Sequence, residues 1–290
     1  MAEEEADRRR ERPPDSGEER DEPAVARDSH VETAPALAGR DPWLSLSRWT
    51  PARIALGRAG ASMPTQANLD FQRDHALARD AIYTALDGDA LEAQLRQMGF
   101  GVIRVQSMAR ERREYLSRPD LGRSVGKECI DALRIERPAK NLLTIVIADG
   151  LSARAAERSA APLVACLREG LEGWSLDDVV VATQARVALG DAIGELRGAE
   201  AVLMLIGERP GLTSPDSLGA YLTYQPRVGR TDADRNCISN IRPEGLSVEV
   251  ATLRLKHLLR GARALKKTGV ALKDTFVSNN LNASPASDHA

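Results

Sequence analysis

The sequence has few cysteines, few aromatic residues and no long apolar run, so it lacks the features of disulfide-linked, nucleic-acid-binding and membrane-spanning proteins. Its three cysteines, Cys129, Cys166 and Cys237, lie far apart, so they build neither a disulfide framework nor a paired metal clip. Aromatic residues make up 3% and the formal net charge is -2, which leaves little to attract a nucleic acid. No apolar run approaches the roughly 20 residues of a membrane helix, and no secretory signal is recognisable. We predict a cytoplasmic protein without nucleic acid or membrane partners.

The composition changes along the chain and divides it into four segments. Residues 1–42 are mostly Glu, Asp, Arg, Pro, Ala and Ser, with too little apolar area to offset the entropy of ordering, so they predict a disordered charged arm. Residues 43–100 carry a helical pattern with Thr65 as its cap, and predict a helical amino-terminal region. We expect an α/β domain over residues 101–275 and a loose polar tail over 276–290.

Apolar runs and amphipathic patterns alternate within residues 101–275. The runs predict buried strands at 142–148, 179–182 and 201–206, after a shorter strand in "GVIRVQSM". Helices are expected after Pro119 and Asp120, after Ser152, over 187–196 and after Ser247. Alternating strands and helices favour right-handed crossovers. The fold class predicted is therefore α/β, a Rossmann-like open parallel sheet with helices on both faces, preceded by a helical amino-terminal region and a disordered arm.

Two strand ends carry unusual residues. Asp149-Gly150 ends one predicted strand and "GERPG" (207–211) ends another, and ligands of such sheets bind at the carboxyl ends of strands. Gly207 and Gly211 would let a ligand approach the backbone closely, while Pro210 stiffens the loop. The alternative is a tight turn with an exposed Glu-Arg pair.

The usual catalytic and nucleotide signatures are missing. No G-x-G-x-x-G and no G-x-x-x-x-G-K-[ST] is present, and Ser152 lacks the second glycine of a nucleophile elbow. Cys237 and His257 could act as thiolate and base, although His257 lies within a predicted helix. The residues favour a binding subunit without catalytic groups of its own. A stand-alone Rossmann-like phosphate- or nucleotide-binding module and a hydrolase using Cys237 stay open as alternatives.

Several longer segments resemble one known family, the small (light) subunit of ethanolamine ammonia-lyase. The resemblance runs from about Thr50 to Asp274 and rests on "TPARIALGRAG", "RPDLGRSV", "IADGLSARA", "ARVALGDAIGE", "LIGERPGLTSPDSLGAYLTYQPRVG" and "DADRNCISNIRPEGLSVEVA". It implies adenosylcobalamin-dependent conversion of ethanolamine to acetaldehyde and ammonia, active only with a large TIM-barrel subunit that hosts the reaction. The small subunit would cover the cobalamin at the interface of a hetero-oligomer, in the cytoplasm or in a bacterial ethanolamine-utilisation microcompartment.

The family's cobalamin contacts fall, motif by motif, on Val187, Glu208 and Cys237. A carboxylate such as Glu208 suits the primary amides of a corrin rim because it offers acceptors for their N–H groups. Val187 can offer either a stiff apolar edge or its backbone, and Cys237 is small enough for close approach. The resemblance implies no catalytic residue on this chain.

The resemblance also raises questions about the metal and about three arginines. No D-x-H-x-x-G motif surrounds any histidine, so the cobalt is expected to keep its nucleotide base rather than take a protein ligand. Arg53 and Arg58 are hypothesised to face the large subunit or a cofactor phosphate, with a solvated surface as the alternative. Arg209 is expected to orient Glu208 or to reach the large subunit.

Overall fold

The computed structural model describes residues 38, 39, 41, 43–50 and 52–276. The predicted disordered arm, residues 1–42, lies outside the described residues except for 38, 39 and 41. The predicted tail, residues 276–290, lies outside them except for 276. Within the described residues, no helix combines the length and the apolarity needed to cross a lipid bilayer.

The amino-terminal region contains a small two-stranded sheet and two α-helices. The antiparallel strands are β1 (Ala38–Gly39) and β2 (Arg58–Ala59), and the helices are α1 (Thr65–Tyr83) and α2 (Gly88–Gln97). The prediction that Thr65 caps α1 is wrong, because the helix already includes Thr65 and the capping position is Pro64. Asp87 caps α2 by accepting a hydrogen bond from the backbone N–H of Ala90.

Seven strands form the main sheet, and helices pack on both of its faces. The strands are β3 (Val102–Gln106), β4 (Leu142–Ala148), β5 (Ser175–Leu176), β6 (Val179–Thr183), β7 (Ala201–Gly207), β8 (Leu218–Tyr224) and β9 (Asn236–Ile241). The helices are α3 (Arg112–Ser117), α4 (Ile130–Leu133), α5 (Ala153–Arg168), α6 (Leu189–Leu196) and α7 (Val248–Leu265).

The sheet is mixed, which corrects part of the predicted fold class. Its order is β3-β6-β4-β7-β8-β9, with β5 beside β4. The strands from β3 to β7 are parallel, as expected, but β8 and β9 run antiparallel. The connection between β7 and β8, residues 208–217, is shorter than the dozen or so residues that a parallel crossover needs. The α/β class is confirmed, whereas a fully parallel Rossmann-like sheet is not.

The segment after Pro119 also differs from the prediction of one helix. It forms two short 3-10 turns, Leu121–Arg123 and Lys127–Cys129, before α4 begins. The carbonyl of Gly122 accepts a hydrogen bond from Arg186 N (2.7 Å), and Gly126 N donates to the carbonyl of Gln106 (2.8 Å). These contacts hold the segment against the edge of the sheet and occupy backbone groups that a helix would use.

Alternating residues of the central strand divide the core between the two faces. Every residue of β4 is buried. Leu143, Ile145 and Ile147 pack with α5 and α7, whereas Val146 and Ala148 face the side of α6. The predicted caps are confirmed at both long helices, since Ser152 and Ser247 accept hydrogen bonds from backbone N–H groups of the first turn.

Candidate functional site

A cleft opens at the carboxyl ends of the parallel strands. From β4 the chain passes through α5 on one face to β6, and from β6 it returns through α6 on the other face to β7, so the connections diverge between the ends of β4 and β6. Ligands of open α/β sheets bind at such a switch point. The cleft has a volume of about 390 Å³. Its lining comprises Tyr115, Gly150, Leu151, Arg186, Val187, Ile206, Gly207, Glu208, Arg209, Tyr221 and Ser239.

Two glycines let the ends of β4 and β7 touch at the base of this cleft. A Cβ atom on Gly150 would lie 2.1 Å from the carbonyl oxygen of Gly207, and one on Gly207 would lie 2.0 Å from the carbonyl oxygen of Ser152. Gly150 also has a φ of +52°, which favours glycine. Leu151 N donates to the carbonyl of Gly207 at 2.9 Å. The missing side chain of Gly207 therefore makes room for the end of β4 to pack against the end of β7. The sequence had predicted that it makes room for a ligand.

Glu208 follows β7 directly, and three hydrogen bonds fix its carboxylate. Oε2 accepts from Ser217 Oγ (2.5 Å) and Asn240 N (3.2 Å), while Oε1 accepts from Ser239 Oγ (2.6 Å). A carboxylate has about four lone-pair sites, so roughly one acceptor position stays available at this cleft. Among the described residues, no hydrogen bond or ion pair joins the side chain of Arg209 to Glu208, so the structure does not support the first predicted role of Arg209, and contact with the large subunit stays a prediction. The serines and the backbone of β9 orient Glu208 instead.

Val187 reaches the cleft on the loop between β6 and α6. Asp149 holds the start of this loop, because its carboxylate accepts from Gln184 N (2.9 Å) and Ala185 N (3.1 Å). Asp149 is buried, and burial raises the pKa of its carboxyl although these hydrogen bonds and nearby Arg112 act in the opposite direction. Asp149, which follows β4, thus fixes the loop that carries Val187 after the neighbouring strand β6.

A buried tyrosine between two arginines forms one wall of the cleft. Tyr115 has no exposed surface, and the guanidinium carbons of Arg112 and Arg186 lie 4.7 and 4.3 Å from its ring centroid. Its hydroxyl donates to the carbonyl of Ala185 at 3.1 Å. Burial is the main cause that raises the pKa of Tyr115 to about 12, so the phenol is neutral at physiological pH.

Cys237 lies beside the cleft rather than in its lining. It stands on β9 opposite Tyr221 of β8, and Tyr221 lines the cleft. Although the residue is exposed, protein atoms around the sulfur raise the pKa of its thiol, which favours the protonated form. His257 is paired elsewhere, with Nε2 at 3.2 Å from Thr275 Oγ1. The structure therefore gives the hydrolase hypothesis neither an activated thiolate nor a neighbouring base.

The predicted residues thus fall into three groups. Val187 and Glu208 line one cleft, and Cys237 adjoins it through Tyr221. Arg53 forms an ion pair with Asp74, while Arg58 is exposed on β2.

Among the described residues, no group of three or more His, Cys, Asp or Glu side chains could hold a metal ion.

Sequence reasoning did not single out several cleft residues, among them Tyr115, Arg186, Tyr221 and Ser239. Arg186 directly precedes Val187, so its position in the chain was a usable signal. The tyrosines and Ser239 belong to no recognisable chemical motif. They reach the cleft through α3 and through the antiparallel strands that the apolar pattern did not predict.

Comparison with known proteins gives consistent matches over most of the chain. The profile of the family described as "Ethanolamine ammonia-lyase light chain" matches residues 40–273. The ethanolamine ammonia-lyase small subunit of Azotobacter vinelandii is 54% identical over 242 residues, which cover 82% of this chain and 90% of that protein. Small subunits from Pseudomonas syringae pv. tomato (50% over 258 residues, 87% and 90%) and Ralstonia nicotianae (50% over 248 residues, 84% and 92%) are similar as well. The chain belongs to the ethanolamine ammonia-lyase light-chain family.

Proposed function

We propose that this chain is the small subunit of an adenosylcobalamin-dependent ethanolamine ammonia-lyase, which converts ethanolamine to acetaldehyde and ammonia. The names of its relatives describe a small subunit, which implies a larger partner in a hetero-oligomer. The observation that carries the cofactor assignment is the cleft at the carboxyl ends of β4, β6 and β7. Val187 and Glu208, which come from separate sequence motifs, both line it.

The chemistry of the cleft fits the rim of a corrin. Primary amides of the rim need acceptors for their N–H groups and donors for their carbonyl groups. Glu208 retains about one acceptor position, while Arg186, which also lines the cleft, supplies N–H donors. Val187 and Ile206 add apolar edges. Because the macrocycle is larger than a cleft of about 390 Å³, the remainder of the cofactor would lie against the large subunit.

The residues of this chain would bind and orient the cofactor without reacting. When bound, adenosylcobalamin supplies the radical chemistry of the reaction. Glu208 would accept an amide N–H, Val187 would contact the corrin edge, and Cys237 would present a small protonated thiol beside Tyr221. Each residue keeps water from the face of the cofactor that it covers. The catalytic groups would lie on the large TIM-barrel subunit.

Glu208→Ala tests this assignment in the complex of the full chain with its large subunit. We expect the dissociation constant of adenosylcobalamin to rise roughly tenfold, the effect of losing a hydrogen bond to a charged group. Glu244→Ala is the matched control, because its side chain is 61% exposed on the loop after β9. Co-purification and thermal unfolding check that the complex stays assembled. An unchanged constant for Glu208→Ala in an intact complex would remove Glu208 from the cofactor site.

An assay of ammonia release distinguishes the proposed small subunit from an independent enzyme and from a stand-alone binding module. We expect activity with adenosylcobalamin only when both subunits are present. Activity of this chain alone would support an independent enzyme, and failure to co-purify would support a stand-alone binding module.

We also propose a location in the cytoplasm or in an ethanolamine-utilisation microcompartment, which cell fractionation with an antibody to this chain can distinguish.

A further inference from the structure

A row of basic side chains, which we call the basic stripe, runs along one side of α7. Lys256, Arg260 and Arg263 follow one another at spacings of four and three residues, which places them on one face of the helix. Lys266 and Lys267 continue the stripe where the helix ends, and none of the five residues lines the cleft. We propose that the basic stripe binds the acidic amino-terminal segment of the same chain, residues 1–37.

Most of the positive charge on the basic stripe is not neutralised by the described residues. No member of the stripe forms an ion pair with any of them, because Lys256 and Arg263 donate instead to neutral backbone carbonyls of the loop 169–173. The acids of this loop, Glu169 and Glu172, are exposed. The stripe thus carries five positive charges beside two negative ones, and such a surface attracts an acidic partner.

The amino-terminal segment has the opposite charge. Residues 1–37 contain twelve acids, six arginines and no lysine, so the segment alone carries a formal charge of -6, whereas the whole chain carries -2. Nine of the twelve acids fall in two blocks, "EEEAD" (3–7) and "DSGEERDE" (15–22), which the basic run "RRRER" (8–12) separates. Each acidic block therefore presents concentrated negative charge that the stripe can match.

The covalent connection makes weak ion pairs sufficient. Exposed ion pairs stabilise little when the partners diffuse freely, but a short tether holds them at an effective concentration on the order of millimolar. Fifteen residues lie between Glu22 and Ala38 of β1, and they span about 50 Å when extended. The diameter expected of a folded domain of about 230 residues is roughly 45 Å. The second acidic block can therefore reach α7 from its attachment at β1.

Carbodiimide cross-linking tests the proposal, because this reagent joins lysine amines directly to neighbouring carboxylates. The full-length chain is treated in complex with its large subunit, and also alone, which keeps the test independent of the proposed function. At 0.1 M salt we expect mass spectrometry to find cross-links from Lys256, Lys266 or Lys267 to acids within residues 3–22. At 1 M salt the yield should fall severalfold, because the Debye length falls from about 10 to about 3 Å. Lys140, which is exposed outside the stripe, serves as the control lysine and should form no such cross-links.

Arg260→Glu distinguishes binding from the chemistry of the reagent, because Arg260 itself is not a cross-linking residue. The side chain is exposed, so the fold should stay intact, and thermal unfolding checks this. We expect the variant to lower the yield of cross-links from the stripe lysines severalfold. Arg137→Glu, which reverses an exposed charge in the loop before β4, should leave that yield unchanged. A yield that responds neither to Arg260→Glu nor to salt would overturn the proposal, as would stripe lysines joined to the large subunit instead.

Isotope labelling tests whether the segment and the stripe belong to the same chain. Full-length chains labelled with ¹⁵N and unlabelled chains are mixed in equal amounts before assembly with the large subunit. Cross-linked peptide pairs in which both peptides carry the same label support binding within one chain. Pairs that combine a labelled with an unlabelled peptide in about half of the cross-links would overturn the assignment to the same chain.

Discussion

The carboxylate of Asp149 accepts a hydrogen bond from the backbone N–H of Gln184 at 2.9 Å, and this bond joins the carboxyl ends of β4 and β6. Arg112 extends the connection. Its Nη1 lies 3.3 Å from Asp149 Oδ2 and donates to the carbonyl of Gly150 (2.9 Å), while its Nε donates to the carbonyl of Ile82 in α1 (2.6 Å). Asp149 thus links the loop that carries Arg186 and Val187 to α1, directly at the loop and through Arg112 at the helix.

Asp149→Asn should lower the free energy of unfolding by about 1–3 kcal/mol, the usual cost of a buried polar group left without its partner. The asparagine side chain keeps one acceptor oxygen but presents an N–H group to a second backbone donor, and the attraction to Arg112 is lost. Denaturant titration measures the change. Asp178→Asn serves as the control at an exposed position and should leave the free energy of unfolding nearly unchanged. Equal stability of the two variants would contradict the role given to Asp149.

Gly219→Ala should weaken adenosylcobalamin binding severalfold in the assembled complex. The added Cβ would lie 2.9 Å from Glu208 Oε1 and 3.0 Å from Tyr221 Cε2, so the carboxylate must leave the position that Ser239 holds. Gly190→Ala is the matched control, because its added Cβ meets no atom closer than 3.4 Å. We expect that control to bind the cofactor normally and, within a helix, to unfold no more easily. Normal cofactor binding by Gly219→Ala would show that the placement of Glu208 does not matter.

Cys237 should react slowly with iodoacetamide at neutral pH, and the rate should rise only at a pH above the ordinary thiol range. The physical reason is that desolvation raises the pKa of the Cys237 thiol, and only the thiolate reacts. In the complex, bound adenosylcobalamin should lower the alkylation rate further, since Cys237 would face the cofactor. Mass spectrometry of the labelled peptide measures both effects. An alkylation rate that the cofactor leaves unchanged would separate Cys237 from the cofactor site.

The parallel part of the sheet could be predicted because each of its central strands is buried on both faces. The apolar runs at β4 and β7 record that burial directly in the sequence, and Ser152 and Ser247 mark the helix starts. The antiparallel strands were missed because β8 contains Gly219, Tyr221 and Thr223 and β9 is partly exposed, so neither has a continuous apolar run. Their direction depends on the short connection after β7, which periodicity does not reveal.

The candidate site was predictable only where a motif marked it. Val187 and Glu208 were identified through segments that resemble a family, and the structure places both in one cleft. The surroundings of Glu208 were not predictable, because Ser217 directly precedes β8 and Ser239 lies on β9, two strands whose pairing was unknown. Arg209, one of whose two predicted roles was to orient Glu208, is adjacent in sequence but forms no hydrogen bond or ion pair with it among the described residues. Neighbours in the chain are a poor guide where a strand ends and its side chains diverge.

Arg197→Met should destabilise the fold by about 3–5 kcal/mol, because it leaves the carboxylate of Asp177 buried and unpaired. Arg197 Nε and Nη2 bind the two oxygens of Asp177 at 2.7 and 2.5 Å, and Thr144 Oγ1 donates to the same carboxylate at 2.8 Å. Asp177 lies just before β6, at the amino end of the sheet and away from the cleft.

The double variant Arg197→Met with Asp177→Leu should recover much of the loss, since it removes both charges. Arg118→Gln breaks an exposed pair with Asp120 and should leave the stability nearly unchanged. If the double variant were as unstable as Arg197→Met alone, packing around Arg197 rather than the unpaired carboxylate would account for the loss.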